Sequence, residues 1–132
     1  MNLQGSCLCG AVTYHVDGVL EDLHSCHCSQ CRKQSGHFMV AGSTSRDKVE
    51  IQGEDRLTWF ESSPGYLRGF CTTCGSHLFW CEASGAQISV NAGALDGPTG
   101  LTMNYHIFVA DKGDYYEVAD GLPQHEGPRA KD

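Results

Sequence analysis

The chain has 132 residues, with 9 basic and 16 acidic side chains that give a formal charge of −7. This length predicts one domain with a modest core. The negative charge disfavours nucleic acid as a partner, because that affinity depends on neutralising phosphates. The N-terminal residues lack the pattern of a signal peptide, and no apolar run is long enough to predict a membrane span. We therefore expect a cytoplasmic protein in which clustered, reduced cysteines bind metal or take part in catalysis.

Short apolar stretches separated by Gly, Pro and Asp turn signals predict an all-β domain. In chain order, the predicted strands lie around Val12–Val16, Val49–Ile51, Leu57–Trp59, Leu78–Trp80, Ile88–Val90, His106–Val109 and Tyr115–Val118. A short helical turn is predicted at Ser29 to Ser35, just after the second cysteine cluster begins. The chain from Gln124 onward is polar and is expected to fray. The predicted domain thus covers residues 1–123, and a polar tail covers 124–132.

Seven of the eight cysteines fall into three tight clusters with the spacings C-x-C, C-x-C-x-x-C and C-x-x-C. Four thiolates complete a tetrahedral zinc site, whereas three leave one coordination position for water or substrate. Seven thiols therefore predict one structural zinc and one chemically open zinc. The cysteines concerned are Cys7, Cys9, Cys26, Cys28, Cys31, Cys71 and Cys74.

The spacing alone does not decide which clusters share an ion. The late C-x-x-C followed by a glycine is typical of a zinc knuckle, which supplies only two ligands. Its partner is either the pair Cys7 and Cys9 or two cysteines of the middle cluster. The middle cluster is also compatible with a closed site if His24 or His27 adds a fourth ligand. Cys81 lies in an apolar segment and is expected to be a small buried side chain rather than a ligand.

Longer motifs around these cysteines resemble the glutathione-dependent formaldehyde-activating enzyme family, whose domain also occurs in centromere protein V. The matching segments extend over nearly the whole chain. They are Gly5–Val12, Cys26–Lys33 with Ser35 and Gly36, Arg68–Ser76, His106–Val109 and Asp120–Pro123. The resemblance implies an all-β fold of several small coiled antiparallel β-sheets that are stapled together by zinc.

The resemblance also implies which cysteines share each ion. In the family the first C-x-C and the late C-x-x-C bind a structural zinc, and the C-x-C-x-x-C thiols bind a second, open zinc. In this chain the structural ligands would be Cys7, Cys9, Cys71 and Cys74. The ligands of the open, catalytic zinc would be Cys26, Cys28 and Cys31.

The activity implied by the resemblance is that of a carbon–sulfur lyase that condenses glutathione with formaldehyde to give S-hydroxymethylglutathione. The expected partners are thus a small thiol such as glutathione and a small aldehyde. Three thiolates leave a zinc site with one net negative charge, so we expect the metal mainly to bind and deprotonate the thiol. A non-catalytic carrier of a small thiol and a structural zinc domain for protein interaction are compatible with the same cysteines. A homodimer is compatible with exposed edge strands.

No motif predicts which residues bind the substrate. Glutathione carries two carboxylates, and the first candidates to bind them are Arg32 and Lys33, next to the middle cluster. His27 and His37 are candidate proton carriers. All four are equally compatible with ordinary surface or core positions. The other basic residues that could bind a carboxylate are Arg46, Lys48, Arg56 and Arg68.

Overall fold

The structure is a computed structural model that describes residues 2–129. Within this range the chain forms ten β-strands and a single short α-helix, and no helix is long and apolar enough to cross a membrane. The strands and the helix are β1 (Asn2–Ser6), β2 (Thr13–Asp17), β3 (Glu21–Cys26), α1 (Ser29–Ser35), β4 (Met39–Ser45), β5 (Val49–Gln52), β6 (Leu57–Ser63), β7 (Tyr66–Cys71), β8 (His77–Glu82), β9 (Gln87–Asn91) and β10 (Tyr105–Ile107). Short 3₁₀ turns lie at Arg46–Lys48, Glu54–Arg56, Ala92–Ala94 and Val109–Asp111.

The strands form two sheets. One has three strands in the order β1-β2-β5, and the other has seven in the order β10-β3-β4-β9-β8-β7-β6. The mostly-β class is therefore confirmed, but the expectation of several small antiparallel sheets is wrong in two respects. There are two sheets in the described part of the chain, and β10 pairs with β3 in parallel. The parallel pairing is possible because residues 92–104 form a connection long enough to return the chain in the same direction.

The two sheets share one apolar core. Tyr14 and Val16 of β2 and Phe79 and Val90 of β8 and β9 belong to the same buried cluster. The rings of Tyr14 and Phe79 meet edge to face at 5.0 Å between centroids. Full burial of each such apolar side chain stabilises the fold by roughly 1.5–3 kcal/mol. The core thus fixes the three-stranded sheet, and the loop that follows β1, against the larger sheet.

The predicted helical turn is confirmed, since α1 begins at Ser29 and ends at Ser35. The strand predicted at Tyr115–Val118 is wrong, because this segment forms turns and irregular backbone. The backbone carbonyl and the hydroxyl of Tyr116 bond to side chains instead of to a neighbouring strand. The Lys112 ammonium donates to the Tyr116 carbonyl at 2.7 Å, and the Tyr116 hydroxyl bonds to the His27 ring. Side-chain contacts replace a strand ladder here.

The fraying expected from Gln124 onward is wrong for the first residues of that segment. His125 donates its amide to the His106 carbonyl at 2.9 Å, and Phe108 donates to the Gly127 carbonyl at 2.9 Å. An isolated parallel bridge also pairs His106 with Gln124. The segment is therefore held against β10. Residues 130–132 of the predicted tail lie outside the described residues, and the domain boundary at residue 123 stays a prediction.

A glycine-to-alanine change at position 53 is expected to destabilise the fold more than the same change at position 18. Both glycines have a positive φ, +82° and +100°, where alanine costs about 1–2 kcal/mol. A Cβ at Gly53 would also collide with the Ala11 carbonyl, whereas nothing lies within 4 Å of one at Gly18. We expect losses in unfolding free energy of about 3 and about 1 kcal/mol, respectively, in urea titrations. Equal losses would show that the contact with Ala11 is unimportant.

Candidate metal centres and an adjoining cavity

The first group of cysteines brings together residues that are far apart in the sequence. The thiols of Cys7, Cys9, Cys71 and Cys74 all lie within 4.8 Å of one another. The sulfurs of Cys7 and Cys9 are 3.6 Å apart, and those of Cys9 and Cys71 are 3.8 Å apart. Cys7 follows β1 of the small sheet, while Cys71 ends β7 of the large sheet. The group therefore lies where the two sheets meet.

Two similar turns present these thiols. The Gly10 amide donates to the Cys7 carbonyl at 3.2 Å, and the Gly75 amide donates to the Cys71 carbonyl at 2.8 Å. Gly10 and Gly75 adopt φ values of +81° and +80°, a region that glycine enters without steric cost. The knuckle predicted at Cys71 is confirmed as a turn between β7 and β8, which pair as a hairpin. The loop after Cys7 has the same form.

Ser76 links the two turns. Its hydroxyl accepts from the Leu8 amide at 2.9 Å and lies 3.2 Å from the Cys74 sulfur. Cys7 and Cys71 are buried, whereas Cys9 is exposed. Four thiols this close fit a tetrahedral metal ion, because thiolates are the ligands that zinc prefers in closed structural sites. These four cysteines could hold a metal ion.

The second group forms around the start of α1. Cys26 ends β3, Cys28 is the N-cap of α1 and Cys31 lies in its first turn, with all three thiols within 4.8 Å of one another. The Cys31 amide donates to the Cys28 sulfur at 3.3 Å. Hydrogen bonds from the thiols of Cys26 and Cys31 lower the pKa of Cys28. The hydrogen bond between Cys26 and Cys28 in turn raises the pKa of Cys26. A thiolate at Cys28 is thus stabilised by its neighbours, as a soft metal ligand requires.

Neither histidine proposed as a fourth ligand joins this group within residues 2–129. The His27 ring is fully buried and bonds to Ser25 at 2.9 Å and to Tyr116. The His24 ring stacks on Tyr105 at 5.0 Å between centroids, and its Nδ1 bonds to a backbone carbonyl. The second group therefore consists of three thiols, which leaves room for an exogenous ligand.

A polar network with Ser25, His27 and His106 buried at its centre includes the two residues that flank Cys26. Asp120 accepts from His106 Nε2 at 2.7 Å, and the other His106 nitrogen bonds to the Ser25 hydroxyl. Ser25 in turn contacts His27, which reaches the Tyr116 hydroxyl. Burial, followed by the proximity of His106, lowers the pKa of His27 to about 4, so its ring is neutral at physiological pH. The network fixes the end of β3 that carries Cys26, and only His27 was considered from the sequence.

A cavity of about 660 Å³ adjoins the second group. Cys26, Cys28 and Cys31 all line it, whereas the four cysteines of the first group do not. Trp80 and Tyr105 supply apolar walls. Small-molecule sites generally have volumes of ~300–1,000 Å³. The cavity is thus large enough for a peptide-sized thiol as well as a small carbonyl compound.

The basic residues at the cavity differ from the first candidates in the sequence. Arg68 and Arg129 line it, but Arg32 and Lys33 do not. The Arg32 guanidinium instead donates to the Asp111 carbonyl at 3.0 Å, and Lys33 is exposed. Arg129 was missed because it lies in the segment that was expected to fray. No local pattern would have revealed it.

Two other residues considered from the sequence lie outside both groups. Cys81 is 1% exposed, which confirms the expected burial, and it accepts from the Arg46 guanidinium at 2.8 Å. His37 is exposed and bonds to the Tyr115 hydroxyl at 3.0 Å. His37 does not line the cavity. Its position therefore does not support a role in proton transfer.

Several known proteins are similar to this chain. Residues 2–111 match the family model described as glutathione-dependent formaldehyde-activating enzyme. A Schizosaccharomyces pombe protein named only as an uncharacterized lyase is 30% identical over 121 residues, which cover 89% of this chain and 85% of that protein. A Halomonas elongata protein, provisionally named a glutathione-dependent formaldehyde-activating enzyme, is 29% identical, with 89% and 82% covered. A crystal structure of a Rhodobacter sphaeroides protein aligns with a TM-score of 0.62 at 26% identity, covering 74% of this chain and 91% of that one.

Proposed function

Because the chain belongs to the glutathione-dependent formaldehyde-activating enzyme family, we propose that it is a zinc-dependent carbon–sulfur lyase. It joins a glutathione-like thiol to formaldehyde or another small carbonyl compound, or splits the same adduct. The observation that carries this proposal is the group of three thiols, within 4.8 Å of one another, at the wall of a cavity of about 660 Å³. The relative named as a lyase supports an enzymatic rather than a purely structural role.

The reaction is an addition without any change of total oxidation state. A bond forms between the thiol sulfur and the carbonyl carbon, and the thiol proton ends on the carbonyl oxygen. The uncatalysed reaction must bring two solutes together in a productive orientation. A site that holds both therefore lowers the barrier by removing that entropic cost.

Cys26, Cys28 and Cys31 would hold the catalytic zinc, and Cys7, Cys9, Cys71 and Cys74 would hold the structural zinc. The donor sets fit these roles, since the group of four is closed and the group of three borders the cavity. A zinc ion with a free position stabilises a thiolate at neutral pH. The three cysteines are held in place by β3 and by the start of α1.

The remaining cavity residues would bind and orient the thiol. Trp80 and Tyr105 line the cavity together with the three thiols and would shield the bound thiol from water. Arg129 lies at the cavity wall, 4.7 Å above the Tyr105 ring and 3.2 Å from an Asp22 carboxylate oxygen. Asp22 and the Tyr105 ring hold the guanidinium at the cavity, and we assign the donors that Asp22 leaves free to one carboxylate of the glutathione-like substrate. Homodimer formation and a cytoplasmic location stay predictions.

The proposal is tested by the rate of adduct formation from glutathione and formaldehyde, followed by NMR exchange spectroscopy. We expect a rate above the uncatalysed one that saturates with glutathione. We also expect two zinc ions per chain, of which one is labile to excess glutathione. Glutathione binding without acceleration would favour the carrier protein. Neither binding nor acceleration would favour a structural zinc domain.

A further inference from the structure

Arg68 is a buried cation that forms no ion pair with a carboxylate of residues 2–129. It lies on β7, and only 5% of its surface is exposed. In the described part of the chain, the ion pairs within 4.0 Å involve other basic residues. The guanidinium instead donates to the Ser62 hydroxyl at 3.2 Å, the Gln30 side-chain carbonyl at 3.2 Å and the Cys31 sulfur at 3.5 Å.

A buried guanidinium needs a nearby negative charge, because transfer from water to a protein interior strongly disfavours an uncompensated ion. Ser62 and Gln30 are neutral and supply only hydrogen bonds. Cys31 is different, since it becomes negative when it ligates a metal as a thiolate. Once Cys26, Cys28 and Cys31 ligate a divalent ion, their net negative charge would compensate that of Arg68.

We propose that Arg68 is the counter-ion of the Cys26–Cys28–Cys31 group and a positioning residue that sets how firmly this group holds a divalent metal ion. Three thiolates and a divalent ion have one net negative charge, which the guanidinium neutralises. A further thiolate then enters a neutral rather than a negative site. This inference rests on the metal ligation in the proposed function, but it does not depend on turnover.

The test is the zinc affinity of the second site, measured by competition with a chromophoric chelator in the full-length protein. Arg68→Gln is expected to weaken this site by about 10–100-fold, as loss of an outer hydrogen-bond partner of a metal ligand generally does. Arg68→Lys keeps the charge but not the three-way hydrogen bonding, so it should recover part of the loss. With cobalt in the second site, the thiolate charge-transfer band should shift in Arg68→Gln. The first site should keep its affinity.

Two matched controls remove the same charge elsewhere. Arg46→Gln removes an arginine that also donates to a cysteine. Its guanidinium is 2.8 Å from the sulfur of Cys81, which belongs to neither group. Arg32→Gln removes a charge from the residue next to Cys31, although that guanidinium donates to a backbone carbonyl. Both variants are expected to stay within about twofold of the wild-type affinity, because neither guanidinium donates to a cysteine of the second group and charges near the surface are screened by solvent.

Unchanged zinc affinity in Arg68→Gln, together with weaker glutathione binding, would overturn the inference and make Arg68 a receptor for substrate carboxylate. Equal losses at both sites would also overturn it, by showing a general folding role.

If Arg68→Gln does not fold, Ser62→Ala replaces it. That variant loosens the guanidinium and should weaken only the second site, and wild-type affinity at that site would contradict us. If the wild-type protein shows no turnover but its zinc affinity still depends on Arg68, the lyase proposal is refuted and the inference about Arg68 is not.

Discussion

A Cys28→Ser variant is expected to keep one zinc ion per chain and to form the adduct more than about 100-fold more slowly than the wild type. Loss of a metal ligand should cost more than loss of a residue that only hydrogen-bonds to a ligand. Cys28 connects the second group, since its thiol interacts with those of both Cys26 and Cys31. Serine removes the soft ligand but retains the cap, because a serine oxygen also accepts from the Cys31 amide at a helix N-terminus. Helix α1 should therefore persist, which separates the loss of metal from unfolding.

The control for this experiment is Cys81→Ser, because Cys81 is buried but belongs to neither group. It should retain two zinc ions and wild-type turnover, although removal of a buried sulfur can lower stability. Zinc content is measured by atomic emission and turnover by NMR exchange. A Cys28→Ser protein that lacks the second zinc but keeps full turnover would exclude this group from catalysis.

A Cys71→Ser variant is expected to lose most of its stability. Cys71 is fully buried and joins a knuckle of the large sheet to the loop after β1. Structural zinc ions contribute apparent binding free energies of about 10–16 kcal/mol in small domains. Whole domains are stable by only about 5–15 kcal/mol. Loss of this ion should therefore unfold the chain at or near room temperature, as measured by circular dichroism during heating.

Thr73→Ser provides a matched control, because it changes a residue of the same turn without removing a thiol. It should keep both ions and a melting temperature close to that of the wild type. A strong chelator added to the wild-type protein should reproduce the effect of Cys71→Ser. A Cys71→Ser protein with a wild-type melting temperature would show that the core alone holds the two sheets together.

Local patterns were sufficient for the cysteine turns. The C-x-x-C spacing and the glycine after it predicted the knuckle at Cys71, and the φ of +80° at Gly75 agrees. The grouping of Cys7 and Cys9 with this knuckle came only from the family resemblance. Spacing could not supply it, because the contact joins positions 62 residues apart. The ligand roles of the two groups stay predictions.

Several strands were missed because packing, not propensity, determines them. Strand β4 has the sequence MVAGSTS, in which small residues hide the β pattern. Gly42 in this strand leaves space for Leu20, whose Cβ would lie 3.0 Å from an added methyl group. Gly69, next to Phe70 in a strand that the knuckle did suggest, lies under the Trp59 ring, and a Cβ added to Gly69 would be 2.9 Å from that ring. Such glycines are turn signals in a sequence but close-packing positions in this fold.

The cavity could not be predicted, because its walls come from distant segments. The parallel pairing of β10 with β3 places Tyr105 beside His24 and Ile107 beside Cys26. Arg68 reaches the second group from β7, and Arg129 reaches the cavity from the C-terminal segment. No spacing rule relates these residues to the cysteines. Only the assembled sheet brings them together.

The distance along the chain between the two halves of the first cysteine group has a consequence for the order in which metal is loaded. The second group lies within six residues, so an unfolded chain can close it at little entropic cost. The first group must close a loop between Cys9 and Cys71, and that loop contains the whole second group. Zinc added before the sheets form would therefore be captured first by the three-thiol group. Loading of the four-thiol site would instead be coupled to folding, because its ligands come together only as the two sheets do.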